Sequence, residues 1–306
     1  MNRRLLAYLG IIVTTVAWAS SLIFAKIVYE DSITPILFVA LRYTLAVPVL
    51  VALVPLLKKS DPAPFKARDY WKPLLAVGIT GPFLSQVLQY IGLSLTAASE
   101  TLLLLNLSPV FAVLIAAPVL GERVTRNKAT GLILAVLGTA LIVFGGAPLD
   151  PVLGFSRLVG DFVIISSTLL FAMNGIIGKM AVKSVDAVRV TLYSTIFVVP
   201  FLWVSAISLE DVSVLLRISE TTWLIVAWVA IVNTAMAFVL YYESMRYIEA
   251  SKVQISLNLI AVWGVLMSVT VLGEPAFLGQ IVGGALTILG VILAQQKVSK
   301  APGRSV

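Results

Sequence analysis

ASETLLLLNLSPVFAVLIAAPVLGER, residues 98–123, and ASKVQISLNLIAVWGVLMSVTVLGEP, residues 250–275, are two versions of one stretch of chain. Ala98-Ser99 falls on Ala250-Ser251, Leu105-Asn106-Leu107 on Leu257-Asn258-Leu259, and Leu120-Gly121-Glu122 on Leu272-Gly273-Glu274. The same register carries Gly131 onto Gly283 and Gly138 onto Gly290 without a gap. Upstream it pairs Tyr90 with Tyr242 and Pro48 with Pro200; one residue of slip pairs Trp18 with Phe171, Ser21 with Asn174 and Lys26 with Lys179. Leucine matches are cheap in an apolar chain, but matched glycines, asparagines and Gly-Glu pairs are not. The chain reads as an internal duplication.

Composition says what solvent the duplicated unit needs. Of 306 residues, 59% are apolar and 12% charged, and the mean hydropathy is +1.02. A soluble domain carries about 25% charged residues, so lipid replaces water around this chain. A membrane helix takes about 20 apolar residues. Ten runs qualify: Leu5–Ala25, Ser32–Leu57, Pro73–Leu95, Ala98–Leu120, Ala129–Gly146, Phe162–Gly178, Val190–Leu209, Thr222–Tyr242, Val253–Gly273 and Pro275–Gln296. Arg3, Arg4 and Ala17-Trp18-Ala19 imitate a cleaved signal peptide. The apolar run continues to Val28, however, and the repeat requires that helix. No ten-residue alternation suggests a barrel. The expected fold is an all-α integral membrane protein of ten transmembrane helices.

Most of the 22 lysines and arginines gather at the N-terminus, after helices two, four, six and eight, and at the C-terminus. The positive-inside rule then predicts cytoplasmic termini in the plasma or inner membrane. Five helices per repeat, residues 1–146 and 147–306, make the second copy enter the bilayer upside down. Inverted repeats are the plan of secondary transporters, since a pseudo-two-fold axis in the membrane plane makes the two open states near mirror images.

Other functions lack their chemistry. Without cysteine or histidine there is no disulfide framework, thiolate metal site or imidazole base. The net charge of +7 is spread too thinly to follow a nucleic-acid backbone. No nucleotide-binding loop or nucleophile elbow occurs, so neither ATP drive nor enzymatic catalysis is expected, and no metal or cofactor is called for.

The remaining partners are the bilayer and a small-molecule substrate, met by polar and aromatic side chains at mid-helix depth. In helix three Gln86, Gln89 and Tyr90 share a face; Phe238, Tyr241 and Tyr242 do so in helix eight. Helix one adds Trp18 and Ser21, and helix six Phe171 and Asn174. Helix four adds Asn106, and helix nine Asn258 and Trp263. Trp18, Ser21, Gln86, Gln89, Tyr90 and Asn106 form an external layer; Phe171, Asn174, Phe238, Tyr241, Tyr242 and Asn258 form a cytoplasmic one. The asparagines suit ligand contact or a hydrogen bond between helices. Arg42 is the one full charge well inside a span. It suits a substrate carboxylate, snorkelling, or a pair with Glu100, whereas Lys26 and Lys179 at span ends suit snorkelling. Small-residue faces at Gly131-Ala135-Thr139 and Gly279-Gly283-Thr287 suit close helix packing or a homodimer contact.

WASSLIFAK (Trp18–Lys26), Pro35, Leu41-Arg42-Tyr43, Leu88-Gln89-Tyr90, Ala98-Ser99, Pro109 and Gly121-Glu122-Arg123 before Gly131 and Gly138 together resemble EamA-type members of the drug/metabolite transporter superfamily. The second half is similar more loosely, with Pro275 after its Gly-Glu and Ala261 opposite Pro109. The resemblance implies ten helices, cytoplasmic termini, a central cavity and export of amino acids or related metabolites. The rival expectations are exchange or uptake of a larger polar solute such as a nucleotide sugar, and a non-transporting membrane subunit.

Overall fold

A computed structural model describes residues 3–56, 66–95, 101, 104–144, 155–271 and 277–296. Among them the chain is helical between its turns, with no strand. The helices are α1 (Arg3–Glu30), α2 (Pro35–Leu53), α3 (Arg68–Leu95), α4 (Ser108–Leu120), α5 (Arg126–Phe144), α6 (Phe155–Ala181), α7 (Ala187–Leu209), α8 (Glu220–Tyr247), α9 (Ala250–Met267) and α10 (Leu278–Gln295). Eight among the described residues are long and apolar enough to cross a membrane; α4 is a shorter apolar helix.

Sequence chemistry accounts for the ends. Pro35 sits in the first turn of α2, where a missing N–H costs nothing. Asp186 and Ser219 accept from the first-turn N–H groups of α7 and α8. Gly121 closes α4 at φ 67, the left-handed conformation glycine adopts without strain. Two helices borrow their caps from distant chain. Glu210 accepts from Thr34 Oγ1 (2.6 Å), Ile36 N (3.0 Å) and Leu37 N (2.7 Å) at the start of α2. Glu122 accepts from Ala250 N (2.7 Å), Ser251 N (3.2 Å) and Ser251 Oγ at the start of α9. An ionised carboxylate at a helix N-terminus satisfies orphan donors and the helix dipole together.

The chain is apolar outside and polar inside. Leu114, Val204, Leu224 and Ile281 are exposed, while Asn174, Asn233, Gln254, Thr195 and Thr287 are buried. That inversion suits a lipid surround and identifies a multi-pass membrane protein.

Helix pairing has a pattern of its own. α1 packs on α8 and α3 on α6; α4 packs on α6 and α1 on α9; α2 meets α7, and α5 meets α10. Exchange the halves, α1 for α6 and so on, and each pair becomes another on the same list or itself. The α5–α10 contact is glycine-lined. A Cβ on Gly131 would lie 2.5 Å from Gly290 O, and one on Gly283 would lie 2.5 Å from Gly138 O. The faces that suit close packing or a homodimer thus meet each other within one chain.

Three helices depart from regular α geometry where the sequence suggests unbroken spans. α3 and α8 each widen into a π-helical segment, Ile79–Ser85 and Val229–Met236. α9 is interrupted between Ser256 and Leu259, where Leu257 N and Asn258 N bond three residues back, to Gln254 O (3.0 Å) and Ile255 O (3.2 Å). The turn at Asn106-Leu107, just before α4, is the same feature in the first half. The distortions fall at corresponding places in the two halves.

Candidate functional site

These distortions free backbone groups and re-aim side chains toward the middle of the bundle. In the wide turn of α8, Thr234 Oγ1 donates to Val229 O, five residues back (3.1 Å). Its proton is thereby committed, and its lone pair accepts from Arg42 Nε at 3.0 Å. The carbonyl of the neighbouring Asn233 accepts from Trp18 Nε1 (2.9 Å), and Asn233 Nδ2 donates to Ala17 O. One irregular turn therefore fixes both Arg42 on α2 and Trp18 on α1.

Arg42 is 2% exposed. Its Nη1 donates to Tyr90 OH (2.7 Å) and Gln86 Oε1 (3.3 Å). The guanidinium carbon lies 5.4 to 5.9 Å from the ring centres of Phe38, Tyr43 and Tyr90, a range in which ring quadrupoles stabilise a cation. Tyr90 OH is also 3.0 Å from Ser21 Oγ. Glu100, weighed as a partner, lies outside the described residues; among them no carboxylate pairs with Arg42.

Around this cation lies a cavity whose interior offers about 100 Å³ to the centres of water-sized spheres. Its polar wall holds Arg42, Ser21, Gln86, Gln89, Tyr90, Asn106 and Asn258; Trp18, Phe171 and Phe238 form the aromatic wall. The structure thus brings Phe171, Phe238 and Asn258 up beside the external layer. It leaves the rest of the cytoplasmic layer beneath the floor. Tyr242 OH donates to Asn174 Oδ1 (2.9 Å), Asn174 Nδ2 to Val77 O (2.8 Å), and Gln254 Nε2 to Tyr241 OH (3.0 Å). Trp18 packs on Phe171, Phe238 and Tyr241 with centroids 5.0 to 5.7 Å apart. Asn174, Tyr241 and Tyr242 are wholly buried and absent from the cavity wall. They form a plug. Trp263 also lies off the wall, donating from Nε1 to Thr15 Oγ1 (3.0 Å) between α9 and α1.

Below the plug, toward the face holding Arg3 and the ends of α4, α6 and α8, runs a charged seal. Lys128 is 1% exposed; its Nζ lies 2.6 Å from Glu249 and 3.7 Å from Glu122. Lys179, expected to snorkel, instead turns inward and donates to Ile248 O (2.7 Å) and Met245 O at the end of α8. A cation there answers the helix dipole better than a reach to solvent. The Lys26 side chain lies outside what is described. On the opposite face, Asp31 accepts from Ser219 N (2.8 Å). That backbone N–H, with the Thr222 and Ser219 hydroxyls, holds its carboxyl below the usual range.

Residues missed in the sequence are the small ones on the wall, Ser108, Pro109, Thr168 and Ala261, and the supports Asn233 and Thr234. Thr168 stands one turn before Phe171 on the candidate face, a signal that was available. Asn233-Thr234 offered only a polar pair inside an apolar run. Their importance comes from a turn geometry that the run does not announce.

Among described residues, no cluster of acidic side chains could hold a metal ion. The arrangement is a neutral-polar and aromatic chamber around one fixed cation. The sequence matches the model of the EamA-like transporter family over residues 5–144 and 158–295. It is 27% identical over 221 residues to an uncharacterized transporter, YyaM, of Bacillus subtilis (strain 168), covering 72% of each chain. It is 26% identical over 251 residues to a probable terminal-alkyne amino-acid exporter of Streptantibioticus cattleyicolor, covering 78% of this chain and 80% of that one. A solved crystal structure of 20% identity has the same fold, with a TM-score of 0.75 over 95% of this chain and 97% of that one. Two matched segments, a polar-centred bundle and transporter relatives over most of its length lead to one statement: this chain is a membrane transporter and belongs to the EamA-like transporter family.

Proposed function

We propose that this transporter exports small metabolites, amino acids or related compounds, by alternating access between two inverted five-helix repeats. Ten spans with both termini in the cytoplasm of the plasma or inner membrane complete the reading. The observation that carries it is the one-sided cavity. Its wall residues lie at mid-helix or in the half of the helix away from Arg3, apart from Phe171 and Phe238 just past the middle of α6 and α8, while the Asn174–Tyr242 plug and the Glu122–Lys128 seal fill the other half. That is the form of an outward-facing state. The exchange symmetry of helix pairing supports an inward-facing counterpart in which the halves trade roles. The amino-acid exporter among the relatives supports the substrate class. A nucleotide sugar would ask for several cations, and the wall supplies Arg42 alone. Purified protein in sealed vesicles loaded with a metabolite mixture should show saturable counterflow of at least one small solute. Absence of any saturable flux would favour the non-transporting subunit.

A further inference from the structure

The chamber spends much of its architecture on one guanidinium, and among the described residues no carboxylate neutralises its charge. Nε is taken by Thr234, and Nη1 is shared by Tyr90 and Gln86. Nη2 has no acceptor among the described residues. Each partner is neutral, and each is aligned from behind. Thr234 donates to the carbonyl of Val229, and Tyr90, accepting from Arg42, shares a second hydrogen bond with Ser21. These groups hold the plane of the fork without discharging it. Among the described residues no aspartate or glutamate stands on the cavity wall. A cation kept in a membrane interior at this cost is functional by default, and its open Nη2 offers a carboxylate a charge-assisted hydrogen bond.

A second observation points to a ligand independently. Asn258, 1% exposed and on the cavity wall, commits Nδ2 to Ile255 O (2.9 Å), while its Oδ1 receives no hydrogen bond. Because Ile255 O can only accept, the amide cannot be turned over to hide the vacancy. A buried acceptor without a donor is rare and costly. Here it sits beside the cavity, at the break in α9.

We propose that Arg42 is the specificity-determining receptor for a substrate carboxylate. The cavity then selects organic acids and zwitterions carrying a separate hydrogen-bond donor for Asn258, and refuses lipophilic cations. This rests on the transport reading above and narrows it. An anionic group takes the open Nη2 in a charge-assisted hydrogen bond and cancels the buried charge. A cation meets a like charge with no carboxylate among the described wall residues to offset it.

The test uses the full chain in sealed vesicles. Counterflow is measured for a panel of amino and hydroxy acids, each beside its methyl ester and its amide, together with tetraphenylphosphonium. Free acids should move about tenfold faster than their esters and amides, the worth of one charge-assisted pair, and tetraphenylphosphonium should not move. Arg42→Gln should bring acids down to the level of amides. Arg42→Lys, which keeps the charge and loses the fork, should retain the acid preference at reduced rate. If Arg42→Gln does not fold, the wild-type acid-to-amide ratio and the lysine variant still decide. Esters, amides or the phosphonium carried as fast as acids would overturn the inference while leaving a working transporter. Acid preference unchanged in Arg42→Gln would overturn it too, as would its loss in a folded Arg42→Lys. No flux of any panel member would remove the small-metabolite reading proposed above, and this inference with it.

Discussion

Replacing Glu122 with alanine should turn the protein inside out rather than merely weaken it. The carboxylate joins the two halves at one face, accepting from Ala250 N, Ser251 N and Ser251 Oγ, with Lys128 Nζ 3.7 Å away. Its side chain is 9% exposed. A hydrogen bond to a charged acceptor contributes about 1.5–3 kcal/mol, and a helix N-cap about 0.5–2 kcal/mol. These contributions overlap, and Lys128 keeps Glu249 at 2.6 Å, so a net loss of about 2–4 kcal/mol is reasonable. If the contact belongs to one conformer, that loss moves the equilibrium between open states about 30- to 700-fold. The assay is thiol labelling from outside sealed vesicles. The chain has no cysteine, so single thiols at Gln89, on the cavity wall, and at Tyr241, in the plug, report without background. In the parent, Gln89→Cys should react quickly with a polar maleimide applied to the cavity side, and Tyr241→Cys slowly. Adding Glu122→Ala should slow the first and expose the second to the opposite side. Unchanged labelling at both sites, with only a lower melting temperature, would make Glu122 a static cap and refute the reasoning.

Other perturbations follow from the same geometry. Gly290→Ala places a Cβ 2.5 Å from Ala135 N and 2.6 Å from Gly131 O; it should cost about 1–3 kcal/mol of stability as overpacking, whereas Gly264→Ala, which meets nothing within 4 Å, should leave the melting temperature in place. Tyr242→Phe leaves the buried Oδ1 of Asn174 without its donor and should cost about 1–3 kcal/mol in a denaturation series; an equal loss in Tyr242→Phe with Asn174→Leu already present would show that the bond is not the cause. Asp31 has a lowered folded pKa, so its clamp on Ser219 is complete above the ordinary carboxylate range and is lost as pH falls through the folded value; proteolysis near Ser219 should rise in acid, and Asp31→Asn should abolish that dependence. Impermeant labels should reach Arg68 only from the cytoplasm and Asp211 only from outside, and the reverse would invert the assigned orientation.

How much of this was written in the residue order differs between levels. Apolar runs and matched glycines carry the helices, the duplication and the α5–α10 contact, because burial in lipid and close backbone approach both demand particular residue types locally. Trp18, Ser21, Arg42 and the Gln86 face were legible as candidates because polar groups at that depth are conspicuous. The division of the cytoplasmic layer was not. Phe171 and Asn174 lie three residues apart on α6, yet one borders the cavity and the other is locked to Val77 O and Tyr242. That difference is made by α3 and α8, distant in sequence. The π segment of α8 was equally silent, since Val229–Met236 contains no residue that forces a wide turn, whereas Ile79–Ser85 carries Pro82, whose missing N–H breaks the regular ladder. They persist because distant donors collect the carbonyls they release, as Trp18 does for Asn233.

The wide turn of α8 makes this helix sensitive to length in a way the others are not. A π turn accommodates a residue that an α turn does not, so removing one residue between Val229 and Met236 would let the helix rewind to regular pitch with its hydrogen bonds intact. The rewinding absorbs the lost residue, so Phe238, Tyr241 and Tyr242 beyond it would stay near their places. The wide turn itself would go, and with it the presentation of Thr234 to Arg42 and of the Asn233 carbonyl to Trp18. A single-codon deletion that spares the helix would thus unfasten the cation and the indole at the head of the chamber.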